Sequence, residues 1–284
     1  MITTVLVASM MLAQPAQRTD TTFAVQQGGR ISVNALNGTA VVRAWDRQAV
    51  RIQAAHPADA RVAVTQRGGT VNVESQRGRG GPVRTEYEIT VPRSFGVVIE
   101  ALNMPVTVQD VDGAVRITNV EGAIVVRGTS GRVALESVSG EITVDDASGT
   151  VSANTVNRSI RLTRIRGDIT ADAVNGSIVM RSIEASRVQA STINGEIDYS
   201  GVFRDGGRYY LGTHNGRVTV AVPEDAGVTF SISTHRGQVE AAFPVPVTGI
   251  RDGHLRFVLG SGRASVELES FNGSVRLIRP TGRL

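Results

Sequence analysis

The sequence predicts an all-β protein, and more specifically a parallel β-solenoid. Two observations carry this prediction: a strong excess of valine over leucine, and a nine-residue repeat that fills most of the chain. The 284 residues include 41 valines and only 12 leucines. Since β-branched side chains lose rotamer freedom in helices and pack well on pleated strands, that excess argues against a helix-rich fold.

The repeat begins at Phe95 and returns every nine residues. The ten unit starts, seven of which are Gly, are Phe95, Met104, Gly113, Gly122, Gly131, Gly140, Gly149, Arg158, Gly167 and Gly176. Apolar residues stand two, four and usually seven positions after each start, as Val115, Ile117 and Val120 do. Because positions two and four share one face of a strand, each unit is one short strand and one corner, with two or three positions facing a narrow core.

The residue before the corner alternates between two sets, which doubles the period to 18 residues. One set is Ser139, Asn157, Asn175, Asn194 and Asn215, and the other is Ser130, Ser148, Arg166 and Glu184. Two units therefore form one rung of a two-sided solenoid, with rungs about 4.8 Å apart. An antiparallel meander stays open as the alternative, because Asn-Gly is also the strongest hairpin signal. The shared phase of all units favours the solenoid.

The pattern is less regular towards both ends of the chain. Further corners stand at Asn37-Gly38, Asn194-Gly195, Asn215-Gly216, Arg236-Gly237 and Asn272-Gly273. We predict a signal segment at residues 1–16, an irregular N-terminal β region at 20–94 that is continuous with the solenoid, and a solenoid of nine-residue units at 95–284.

The first residues look like the apolar region of a secretory signal peptide. Ile2 to Leu12 is an apolar run interrupted only by Thr3, Thr4 and Ser9, and it is too short to span a bilayer. We therefore expect an exported protein, located in the periplasm, at the cell surface or outside the cell. No later segment has 18 consecutive apolar residues, so we expect no transmembrane helix.

The charge pattern does not indicate a nucleic-acid partner. All 30 basic residues are Arg, and 26 acidic residues oppose them, which leaves a formal charge of only +4. One Arg/Gly-rich segment, Gln76 to Arg84, contains no aromatic residue that could stack on a base, so we interpret it as a loop between two strands.

No catalytic, cofactor-binding or metal-binding residue is predicted, although three groups of residues were candidates. Calcium binding by a repeat of this length needs a Gly-Gly-x-Gly-x-Asp corner, whereas Asp145, Asp146, Asp168 and Asp172 share no repeated offset. Carboxylates could pair on one outward face, whose charged residues are Glu141, Asp145, Arg161, Arg181, Glu196, Asp198 and Arg127 on the preceding rung. Alternating charges of this kind are typical of a solvated sheet face.

The third group is a pair of histidines, His214 and His235, which occupy equivalent positions before two corners. They could stack on adjacent rungs and form a weak metal site. No third ligand is apparent, and the duplication of the corner explains the match equally well. The sequence also contains no cysteine and no Gly-x-Ser-x-Gly nucleophile motif.

The chain resembles a large bacterial family of β-strand-repeat domains, a family of unknown function whose members carry the name putative adhesin. The likeness covers roughly residues 20 to 280, from the first Asn-Gly unit through the strand ending at Val91-Pro92 to the repeated [Asn/Ser]-Gly corners. It implies a cell-envelope or secreted β-solenoid and supplies no catalytic residues.

These observations lead to a functional hypothesis of a non-enzymatic, exported interaction module. It would bind an envelope protein or a glycan through the faces or edges of the solenoid. Two alternatives remain: a carbohydrate-active enzyme on a β-helix, which would need a cleft with two close carboxylates, and a structural spacer between envelope layers.

Overall fold

The computed structural model describes residues 17–58, 60–76, 84–251 and 254–280. Strands are the only regular secondary structure in these ranges. The predicted signal segment at 1–16 lies outside the described residues. The first twelve strands are β1 (Gln17–Ala24), β2 (Arg30–Trp45), β3 (Ala49–His56), β4 (Arg61–Arg67), β5 (Thr70–Gln76), β6 (Arg84–Pro92), β7 (Gly96–Asn103), β8 (Val106–Gln109), β9 (Val115–Glu121), β10 (Ile124–Thr129), β11 (Val133–Ser137) and β12 (Ile142–Ser148). The others are β13 (Val151–Thr155), β14 (Ile160–Arg166), β15 (Ile169–Ala173), β16 (Ile178–Asn194), β17 (Ile197–Asn215), β18 (Val218–Ala221), β19 (Val228–Thr234), β20 (Val239–Ala241), β21 (Val247–Arg251), β22 (His254–Leu259), β23 (Ala264–Asn272) and β24 (Val275–Ile278).

The strands form a two-sided parallel solenoid, which confirms the predicted fold class. Val133 aligns with Val115 and Val151, each 18 residues away, and both pairings are parallel. We call the face that contains β8, β10, β12 and β14 sheet I, and the face that contains β7, β9, β11, β13 and β15 sheet II. The long strands β16 and β17 each turn a corner and contribute to both sheets. The parallel register rules out the meander for the repeat.

The two kinds of corner turn the chain in different ways. Near the end of the sheet I strands β8, β10, β12 and β14, and at the equivalent point of β16, one residue adopts a left-handed backbone, with φ between 52° and 63°. These residues, 18 positions apart, are Asp110, Gly128, Asp146, Arg164 and Ser182. The left-handed residue interrupts the in-out alternation, so position seven of the unit points into the core. The side chains buried in this way are Val111, Thr129, Ala147, Ile165 and Ile183.

At the sheet II corners the alternation continues without such an interruption. Position six is therefore buried and position seven points to solvent. Val120, Val138 and Val156 are 38%, 42% and 37% exposed at this position. The sequence did not separate these outward residues from the core, because the nine-residue pattern assigns the same offset to both kinds of corner.

The buried residues at position six stabilise the sheet II corners. Thr192 and Thr213 each donate a 2.9 Å hydrogen bond to a corner glycine carbonyl of the preceding rung, that of Gly176 and Gly195 respectively. Close stacking explains the glycines: a Cβ on Gly195 would lie 2.2 Å from the carbonyl oxygen of Gly176. A glycine at this corner position therefore allows the rungs to stack at hydrogen-bonding distance without that clash.

The order of the rungs in space differs from their order in the sequence at both ends of the solenoid. β2 pairs with β5 and β6 on one side and with β7 and β8 on the other. β23 lies between β17 and β19, and β24 lies between β18 and β20. The histidine interpretation was therefore wrong in one respect: His214 and His235 do not lie on adjacent rungs, because the rung that contains Phe271 separates them.

Antiparallel strands cover the outer rungs. β3 pairs with β6 and β1 pairs with β3 at one end, where β4 also pairs with β5. At the other end β22 pairs with β19, and β21 pairs with β22. Reversal of strand direction marks the end of the repeat, and the added strands satisfy backbone groups that the outer rungs would otherwise leave unpaired.

A matched pair of isoleucines on β16 tests the inward and outward assignments. Ile183 is fully buried, whereas Ile193 is 48% exposed. We expect Ile183→Ala to lower the free energy of unfolding by about 2–4 kcal/mol, because it leaves a cavity in the core. Ile193→Ala should cost less than about 1 kcal/mol. Urea denaturation measures both values, and equal losses would contradict the assignment.

Engineered disulfides test the order of the rungs, since the chain has no native cysteine. Asn215 and Asn272 are aligned on neighbouring strands, about 4.8 Å apart, which suits a disulfide. We expect Asn215→Cys with Asn272→Cys to form an intramolecular disulfide under mild oxidation, detected on a non-reducing gel. Asn215→Cys with Arg236→Cys spans two rungs, about 10 Å, and should stay reduced. A disulfide in the second double variant but not in the first would show that the rungs are stacked in the order of the sequence.

Candidate functional site

An exposed apolar ridge runs along the sheet II corner. Its members occupy position seven of successive rungs, and they are Leu102, Val120, Val138, Val156, Val174, Ile193 and Phe271. His214 stands in the same column between Ile193 and Phe271, and His235 follows Phe271. Leu102 and Phe271, near the two ends of the ridge, are 49% and 43% exposed. Apolar side chains are thus aligned in solvent across the repeat.

A second column lies parallel to the ridge, two residues earlier on each strand of sheet II. It contains the carboxylates of Glu100, Glu136, Asp172 and Glu269, and we call it the acidic wall. Thr118 and Asn154 separate the first three carboxylates, so that charged and neutral residues alternate from rung to rung.

Between the ridge and the acidic wall lies a shallow groove, which we call the corner groove. One part, with a volume of about 400 Å³, reaches from Thr118 to Val174. A second part, of about 390 Å³, begins one rung later at Ser191 and reaches Phe271. The small buried side chains at position six form the floor, because Ser137, Thr155 and their equivalents leave room that a larger residue would fill.

One floor residue has an unsatisfied hydrogen-bond acceptor. The carboxamide nitrogen of Asn119 donates to the carbonyl oxygens of Met104 and Gly122, at 2.9 and 3.0 Å. Its carboxamide oxygen has no partner among the described residues, although the side chain is only 1% exposed. Since buried polar atoms are normally hydrogen-bonded, this oxygen is an exception inside the corner.

The carboxylates of the two sheets have different partners. On sheet I and its corners acids pair with arginines of neighbouring rungs, as Glu141 does with Arg161 and Glu196 with Arg217. No described arginine forms an ion pair with Glu136 or Asp172 of the acidic wall. Asp172 accepts a hydrogen bond from Ser191 instead. The corner groove therefore presents two carboxylates, Glu136 and Asp172, that have no arginine partner among the described residues.

Aromatic rings form the end of the groove nearest the C-terminal rungs. The ring of Phe271 stacks between those of His214 and His235, with centroid distances of 4.7 and 4.6 Å. Tyr210 donates a 2.8 Å hydrogen bond to Oε2 of Glu269. Burial, with the carboxylate of Glu269 as a second cause, raises the pKa of Tyr210 to about 12.

A ladder of asparagine side chains supports the corner next to the ridge. Asn175 donates to Asn157 at 3.2 Å, Asn194 to Asn175 at 2.9 Å, and Asn215 to Asn194 at 2.8 Å. Asn272 continues the ladder by donating to Asn215 at 3.0 Å. The alternating corner residues noted in the sequence are therefore the donors and acceptors that fix the shape of this edge.

The candidate residues identified in the sequence lie in separate parts of the structure. Asp145 pairs with Arg164 at 2.6 Å on sheet I, so Glu141 and Asp145 each face an arginine. His214 lies in the groove, whereas His56 is buried elsewhere and contacts Thr19. Within the described ranges no three His, Asp or Glu residues are grouped as metal ligands, and no helix could span a membrane.

No protein-family model and no curated protein matches the chain. Similar solved structures include a putative cell adhesion protein from Clostridium sporogenes (11% identity, 93% of this chain and 100% of that chain, TM-score 0.30) and a putative adhesin from Bacteroides fragilis (10%, 92% and 97%, 0.38). A third is a putative lipid binding protein from Parabacteroides distasonis (9%, 92% and 97%, 0.47). At such low identities and TM-scores, the function of this chain rests on its own surface.

The four tyrosines give the structure a distinct alkaline titration. Burial is the main cause that raises the pKa of Tyr87, Tyr199, Tyr209 and Tyr210, and the sequence contains no other tyrosine. We expect ultraviolet absorbance to show no tyrosine ionising at about pH 10, the ordinary value. A folded-state pKa above the unfolded one stabilises the protein below about pH 10, and this stability is lost as pH rises towards about 12.

Glu269→Gln is the matched variant for this titration. It removes the charge beside Tyr210 and should lower the pKa of that tyrosine alone. In the unmodified protein, full-amplitude tyrosinate absorbance at about pH 10, measured while circular dichroism is still native, would contradict the burial of the four tyrosines.

Proposed function

We propose that this chain is a non-enzymatic, exported cell-envelope interaction module, and that it binds its partner along the corner groove. The observation that carries the proposal is the apolar ridge, whose members are all at least partly exposed from Leu102 to Phe271. Continuous apolar surface that is bordered by polar residues is characteristic of protein interaction sites. The ridge occupies strand positions that a purely structural solenoid could fill with threonine or serine.

Two further features support binding over catalysis. The carboxylates of Glu141, Asp145 and Glu196 face arginines, so they are not free to act as an acid and base pair. The groove is shallow and its side chains repeat along the solenoid, as expected for a surface that contacts an elongated partner. Export is proposed from the apolar run at Ile2 to Leu12.

In-cell crosslinking tests the proposal. A photoreactive benzoylphenylalanine in place of Val138 lies on the ridge, whereas the same residue in place of Val125 lies on the outward face of sheet I. We expect irradiation of the native cells to give a crosslinked adduct with the Val138 variant and little with the Val125 variant. Lysine-directed reagents do not serve here, since the chain has no lysine.

Equal adducts at both positions, or an adduct at Val125 alone, would place the binding surface elsewhere. Turnover of acidic or neutral polysaccharides by the purified protein would contradict the non-enzymatic part of the proposal and favour the β-helix enzyme.

A further inference from the structure

The corner groove is lined by carboxylates. Within the described part of the chain, Arg116 stands one row further from the ridge and Arg158 and Arg236 stand at the corner beyond it, and none of the three lines the groove. Glu136 and Asp172 line one side, and Glu100 continues the acidic wall one rung beyond it. A partner that carries cationic side chains therefore complements the groove, whereas an anionic partner does not.

The spacing of the acidic wall sets the repeat of that partner. Glu100, Glu136 and Asp172 are each separated by two rungs, which is about 10 Å. A polyproline II chain rises about 3.1 Å per residue and has three residues per turn, so equivalent side chains recur about every 9.3 Å. In a β-strand, by contrast, residues three apart point to opposite sides.

The width of the groove favours an extended chain over a helix as the partner. Ridge and acidic wall are two residues apart on one strand, as Glu136 and Val138 are, which corresponds to about 7 Å. An α-helix with its side chains is about 10–12 Å across. An extended chain is narrow enough to lie between the two columns.

We propose that the corner groove binds a cationic polypeptide in polyproline II conformation, with a basic side chain at every third residue facing the acidic wall and apolar side chains facing the ridge. This inference rests on the proposed binding function and names the chemistry of the partner.

A nine-residue peptide of three Arg-Val-Pro repeats is the probe. Its first and last arginines are about 19 Å apart in polyproline II conformation, which matches the four rungs from Glu100 to Asp172. We expect fluorescence anisotropy to show at least about tenfold tighter binding than for a peptide of the same composition with its three arginines in succession, a difference of about 1.4 kcal/mol. The same repeat with Glu in place of Arg should not bind.

Variants of the acidic wall give the second test. Glu136→Gln with Asp172→Asn should weaken binding of the Arg-Val-Pro peptide roughly three- to thirtyfold, because two exposed charge pairs are lost. Glu86→Gln with Glu88→Gln makes the same change in net charge on exposed positions of β6 and should leave binding unchanged. All four positions face solvent at least in part, so thermal unfolding should confirm that each variant folds.

Three results would overturn the polypeptide assignment: equal affinity for the spaced and clustered peptides, equal weakening by the two double variants, or no binding of the spaced peptide. The crosslinking at Val138 separates this assignment from the proposed function. An adduct at Val138 without peptide binding would leave the binding function standing and remove the cationic polypeptide, whereas failure of both experiments would remove both.

Discussion

Parallel, in-register stacking is the constraint on which the rest of the structure depends. Hydrogen bonds between rungs place each residue beside its equivalent 18 positions away, as Val133 lies beside Val115 and Val151, about 4.8 Å distant. A residue chosen at one position of the repeat therefore becomes a column. The asparagine ladder, the valine core and the apolar ridge are three such columns, and they continue past the register shifts of β16 and β17 because equivalent residues are aligned again after each shift.

Stacking also limits where charge can stand, because like charges on neighbouring rungs would be about 4.8 Å apart and would repel. Sheet I and its corners meet this limit with opposite charges, as in the pairs of Arg166 with Glu184 and Arg217 with Glu196. On the acidic wall of sheet II like charges are kept apart by neutral residues, since Thr118 and Asn154 separate its carboxylates. Among the described residues neither Glu136 nor Asp172 of this wall forms an ion pair with an arginine, and Asp172 accepts a hydrogen bond from Ser191 instead.

Much of this fold was predictable, because periodicity is a local property of the sequence. The 18-residue rung and its two kinds of corner followed from counting, and the structure confirms both. The exposed ridge could also have been predicted from the sequence. Position six is Ser137 or Thr155 at one corner and Asp146 or Arg164 at the other, and only the second pair adopts a left-handed backbone. The insertion of β2 and β23 between other rungs was not predictable, since it depends on pairings between strands that are distant in sequence.

That insertion gives the corner groove two different ends. Consecutive repeats build its valine part, whereas its aromatic part combines His214, Phe271 and His235 from three separate segments. Phe271 stands between the histidines only because β23 lies between β17 and β19. In the valine part the carboxylates recur at every second rung, so a bound chain could slide along it by two rungs at little cost. The aromatic end breaks that equivalence, so the groove has a direction and a fixed register for whatever lies in it.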